Sequence, residues 1–208
     1  MLALYPQLST AHAVTLVRAA RLYRDGLWVV ESDPQLAWLF FVAAVEAVAT
    51  PFHVQTVEAV PLFREAHRDL ADLLQKTGGD ALVEQVATSL LRMMRATGRF
   101  IDFTLRYLPP PMDPRPPETL QVKWEPPRMK KALRQIYEYR SRALHDGTPF
   151  PPPMSQPESI PTEIPTGLAS ATMGGVWMSE DTPMLIHVFE HIVRGALLNW
   201  WHDASRAG

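Results

Sequence analysis

Cysteine is absent from the 208 residues, so neither a disulfide framework nor a thiolate metal site is available. That fits a reducing cytosol. A long hydrophobic run is missing too. The most apolar stretch, Leu36 to Ala49, is shorter than a bilayer span and carries Glu46, so no membrane insertion is expected. The opening residues, from Met1 to Pro6, lack a basic region ahead of an apolar core, which argues against a secretory signal. Charge of one sign is not in excess: twenty Lys and Arg face twenty-two Asp and Glu, a net of -2, which gives no global sign of nucleic acid. The hydrophobic share, 47%, is enough for a core. These bounds predict one soluble, cytoplasmic domain over residues 1–208.

Proline is what the chain has in quantity, twenty residues. Eight fall between Pro109 and Pro127, where no helix or central strand is expected. Leu120 to Trp124 can lie extended against the remainder of the fold, making this an ordered crossover. A second proline-rich stretch, about 148–166, either frames a site or is an exposed linker. Outside these loops the periodicity is helical. Ser9-Thr10 caps a first helix running toward Gly26 or on to Val30. Asp33-Pro34 opens a second, to about Thr50, apolar nearly all round. A third is expected from near Val57 to Thr77, ended by Gly78-Gly79, with Asp80 capping a fourth. Gly98 predicts a break or kink before a segment reaching Pro109. Gly174 to Trp177 reads as loop, and Asp181-Thr-Pro183 as the start of the last helix. The expected fold is all-α, a four- to five-helix bundle with two long proline-rich loops, about 109–127 and 148–166.

The chemistry concentrates on the helix from Arg128 to Gly147. Leu133, Ile136, Tyr137, Arg140 and Leu144 recur at spacings of three and four, so Arg140 falls on the inward stripe. A cation there needs a partner. Glu46 is the lone charge of the apolar second helix, and either faces a solvent gap or pairs with Arg140 through two parallel hydrogen bonds. His145 lies in the last turn, and Asp146-Gly147 ends the helix. Seven basic residues against two acidic ones fall between Lys123 and Arg142, a local surplus of five. Such a strip is either a solvated face or a surface for an anion such as phosphate.

Tyr137-Glu-Tyr-Arg140-Ser141 running on to Leu144-His145-Asp-Gly147 resembles the signature helix of HEPN domains, especially the Apea-like branch. The segment Leu39 to Glu46 is similar to the earlier family helix that ends in a core glutamate. The resemblance implies a HEPN-type bundle that pairs two-fold. It also implies a metal-independent endoribonuclease centred on Arg140 and His145, with Ser141 as the polar residue between them. Catalytic members often carry Asn, Asp or His where Ser141 stands. The same resemblance admits a non-catalytic dimerisation module with Arg140–Glu46 as a structural ion pair.

The implied chemistry suits these residue types. Metal-free RNA cleavage needs a base for the 2′-hydroxyl, an acid for the leaving 5′-oxygen and a fixed cation. Histidine titrates near neutrality, at about 6.5, and arginine forks onto phosphate oxygens without deprotonating. One imidazole does not fill both proton roles in a single step, and a two-fold dimer supplies two. The catalytic candidates are thus Arg140, His145, Ser141 and Glu46. Lys130, Lys131, Arg134 and Arg142 are candidate RNA contacts. No cofactor or metal is implied. Expected partners are RNA, a second copy and a cognate antitoxin or other regulatory protein, as in a toxin or defence system. His187-Val-Phe-Glu190-His191 matches a zinc-binding pattern, but only Asp203 follows it as an acid.

Overall fold

The computed structural model describes residues 2–50, 58–155, 162–166, 169–172 and 175–206. Helices dominate them. A 3-10 turn, Leu2–Gln7, leads into α1 (Thr10–Val29), whose cap Ser9 accepts a hydrogen bond from His12 N. Asp33 accepts from Leu36 N and Pro34 stands at the start of α2 (Pro34–Ala49), as the sequence predicts. The short link between these helices folds them against each other, and they share the most extensive interface of the fold. α5 (Pro126–His145) and α6 (Ile186–Ala204) complete the main core. At its centre the Trp38 indole is stacked between Phe150 and Phe189, with centroids 5.2 and 4.9 Å away.

The third and fourth helices depart from expectation. α3 (Ala59–Ala66) stops at His67, whose φ of -138° and ψ of 56° interrupt the hydrogen-bond ladder, and α4 runs from Arg68 to Arg106. The predicted start near Val57 lies outside the described residues. The break at Gly78-Gly79 is present: Gly79 adopts φ 68° and ψ -165°, a conformation that side chains resist. Gly98 makes no kink. It lies inside a continuous helix and faces open space. Phe63, Ala71, Val83, Ala87 and Met94 form a second, smaller core between α3 and the first part of α4. Further along, Phe100, Ile101 and Phe103 enter the main core.

Both proline-rich stretches are built into the fold. The first turns through Glu118–Leu120, buries Val122 and donates Trp124 Nε1–H to the Pro109 carbonyl at 2.9 Å. Pro109 presses on α6 so closely that a Cβ on Gly195 would sit 2.4 Å from its ring. The second stretch buries Phe150 and Met154. It is therefore no passive linker at its beginning; residues 156–161 lie outside the described part. Glu163 joins the two stretches. Its carboxylate, 1% exposed, accepts from Arg115 Nε at 2.8 Å, Arg115 Nη2 at 2.5 Å and Val122 N at 2.7 Å. Its backbone N–H donates to Leu120 O, and its carbonyl accepts from Leu185 N.

Three smaller differences follow from packing. Of the residues expected as loop, Gly175 to Trp177 lie in a strand, β2 (Gly175–Met178), antiparallel to β1 (Ala169–Thr172) with Ala169 opposite Met178, and Gly174 lies outside the described residues. Asp181 accepts from Met178 N and closes a 3-10 turn instead of opening α6, because Thr182 to Leu185 run into the Glu163 contact first. Leu144 is half exposed, since the end of α5 runs past the core. No helix among the described residues is long and apolar enough to cross a membrane.

Replacing Gly98 by Ala should raise stability by about 0.5–1 kcal/mol, because an open helical site gains propensity. Gly79→Ala should lower it by about 1–3 kcal/mol. Glu163→Ala strands the Arg115 cation and should cost about 3 kcal/mol. Urea denaturation reads all three.

Candidate functional site

The site grows from two polar residues on otherwise apolar surfaces. α2 buries Ala37, Trp38, Phe41, Val42, Val45 and Val48, and Glu46 lies near its C-terminal end. α5 buries Leu133, Ile136 and Tyr137, and Arg140 continues that stripe. Packing brings the two together: Arg140 Nη2 lies 2.7 Å from Glu46 Oε2. The expected pair is thus present, but through one hydrogen bond, not two. The other carboxylate oxygen is taken by the Tyr137 hydroxyl, which donates to Glu46 Oε1 at 2.7 Å.

Tyr137 is the member that sequence reasoning missed. An aromatic on an inward stripe reads as core, and nothing local signals that its hydroxyl reaches a carboxylate. Burial raises its pKa first, and the hydrogen bond to Glu46 and that residue's charge raise it further. The phenol stays protonated and remains a donor. Phe100 packs against its ring at 5.2 Å, and the Arg140 guanidinium lies 5.4 Å from the ring centroid.

Arg140 and Glu46 keep 23% and 24% of their side-chain surface exposed. Among the described residues no other acceptor takes the remaining guanidinium N–H groups. A cation fixed by one hydrogen bond, with its other donors left over, is suited to an oxyanion. His145 is the last residue of α5 and is exposed; Asp146 N and Thr148 N donate to Arg142 O, and Gly147 turns the chain away at φ 67°. Five residues of ideal helix place His145 about 140° round the axis from Arg140 and about 7.5 Å along it. Within one chain the two therefore leave α5 on different sides. Ser141 is half exposed between them.

The basic strip divides in two. Lys130 Nζ and Arg134 Nη2 reach Glu65 at 3.1 and 3.5 Å. The hydrogen bond from Lys130 is the leading cause that holds the Glu65 carboxyl below its ordinary range. Asp102 nearby is pushed upward by burial, against the pull of Lys130. Lys131 and Arg142 are exposed, and Arg142 lies 5.8 Å from the Tyr139 ring centroid.

The zinc pattern on α6 is not assembled. Glu190 accepts from Tyr23 OH and, at 3.1 Å, from Arg194 Nε. His191 Nε2 lies 2.9 Å from the Pro110 carbonyl. Among the described residues no group of three or more His, Cys, Asp or Glu is placed to hold a metal.

Arg140→Ala should cost about 1.5–3 kcal/mol, the range for a hydrogen bond to a charged group, and Tyr137→Phe about 1 kcal/mol. Because the folded state holds the Tyr137 proton more tightly than the unfolded chain, its contribution is intact below about pH 10, the ordinary tyrosine value, and falls as pH rises beyond it. Tyr137→Phe should flatten that alkaline loss in denaturation curves taken across pH 9–12. Comparison of the chain with protein-family models, curated proteins and solved structures finds no match.

Proposed function

We propose that this protein is a metal-independent endoribonuclease of the HEPN type, working as a two-fold dimer on RNA. The observation that carries the reading is the part-exposed Arg140, anchored by a single hydrogen bond to Glu46 and bearing spare N–H groups, on the helix that His145 ends. Arg140 would take the oxygens of the scissile phosphate while Glu46 and Tyr137 fix its direction. One His145 would accept the 2′-hydroxyl proton and the partner's His145 would protonate the leaving 5′-oxygen. The angular separation of Arg140 and His145 on α5 favours a second chain as supplier of the missing group. Ser141 lies between them as a polar neighbour. Lys131 and Arg142 would meet the RNA backbone directly. Lys130 and Arg134 would do so only when Glu65 gives way. A cytoplasmic toxin or defence protein restrained by a cognate antitoxin fits such an activity.

A second reading is favoured by the same triad. Tyr137, Glu46 and Arg140 cross-link α2 to α5, which suits a non-catalytic dimerisation module of the same fold family.

Incubating the purified protein with labelled single-stranded RNA in EDTA separates the readings. The nuclease should cut, and His145→Ala, a surface change that spares folding, should slow cutting at least 100-fold, as removing a general acid–base does. A stable dimer that leaves RNA intact would instead be the module.

A further inference from the structure

A cleft of about 600 Å³ opens beside the first half of α5, lined by the crossover, Ile164, the turn at Ser179-Glu180, and Pro183. Its size is that of a small-ligand site. Arg128 and Lys131 enter it one helical turn apart. Neither has an acidic partner among the described residues, whereas Lys130 and Arg134 on the adjoining side of the helix are both satisfied by Glu65. Of the two acids in the lining, Glu118 is tied to Lys123 at 3.3 Å. The second acid, Glu180, is in no ion pair among the described residues, so three cations against two acids leave the lining one positive charge in surplus, beside apolar surface from Val122, Ala132, Ile164 and Pro183.

Gln135 adds a polar specification. Its amide nitrogen donates to Glu180 O at 2.8 Å and to Tyr139 OH at 3.0 Å. Both contacts require N–H, since Glu180 offers a carbonyl and the Tyr139 hydroxyl gives its own proton to Asp181 O. The orientation of the amide is therefore fixed, and its carbonyl oxygen remains as an acceptor in the cleft wall.

We infer that this cleft is a nucleotide subsite for single-stranded RNA. Arg128 and Lys131 take a phosphate, the apolar floor takes the face of a base, and the Gln135 carbonyl accepts from a base amino group. Adenine and cytosine carry such a group and uracil does not. Lys131 and His145 are fourteen residues apart on α5, about 21 Å of helix. The base held here is thus a few nucleotides from the phosphate that would be cut. The inference rests on the RNA reading above.

Fluorescence anisotropy with labelled oligo-A and oligo-U tests it. The unaltered protein should bind oligo-A several-fold more tightly. Arg128→Gln/Lys131→Gln should weaken oligo-A binding about tenfold near 0.1 M salt and lower the slope of log affinity against log salt by about 0.7, one single-strand phosphate. Gln135→Leu should abolish the preference for oligo-A and leave that slope unchanged. Arg18→Gln/Arg21→Gln, the same charge loss on the exposed side of α1, should do neither. Equal weakening by both double variants, or RNA binding and cutting untouched by the cleft variants, overturns the subsite and spares the RNA reading. No binding of either oligonucleotide by the unaltered protein overturns both.

Discussion

A single carboxylate, Glu163, fixes how the two proline-rich stretches close on the helices. Proline-rich segments lack backbone donors and make no ladder of their own, so something else must hold them. Here one buried side chain takes three hydrogen bonds from Arg115 and Val122, and the same residue's backbone ties Leu120 to the approach of α6. An ion pair so deep is weak as a source of net stability, because desolvation offsets the attraction. Its value is geometric. It sets the position of the crossover, and with it the outer wall of the cleft beside α5.

Polar chemistry elsewhere follows the same pattern of few, fully used groups. Glu46 divides its two oxygens between a phenol and a guanidinium. That sharing explains why Arg140 is restrained yet not consumed. Were both oxygens given to arginine, two of its five N–H groups would be committed instead of one. The tyrosine thus holds one carboxylate oxygen, and four guanidinium N–H groups are left without an acceptor among the described residues.

Much of this was legible in the residues. Helices α1 and α2 announce themselves because Ser9 and Asp33 satisfy N–H groups a turn ahead, a purely local event. The Glu46–Arg140 contact was readable because each is the odd charge on an apolar face, and such charges find each other. What stayed hidden depends on partners far along the chain. Glu65 lies 65 positions from Lys130, so nothing near the basic strip shows that half of it is already occupied. The start of α6 shifts because Leu185 binds Glu163, a tertiary event that overrides the cap at Asp181. At Gly98 propensity suggested a break, but packing on both sides of it keeps the helix whole.

That uninterrupted stretch of α4 has a mechanical consequence. From Asp80 to Arg106 it is a rod of about 40 Å, rooted at one end in the small core and at the other in the large one. Phe100, on this rod, leans on the ring of Tyr137. One continuous helix thus carries side chains of the small core, which α3 and Glu65 adjoin, and the ring that packs on the phenol bound to Glu46.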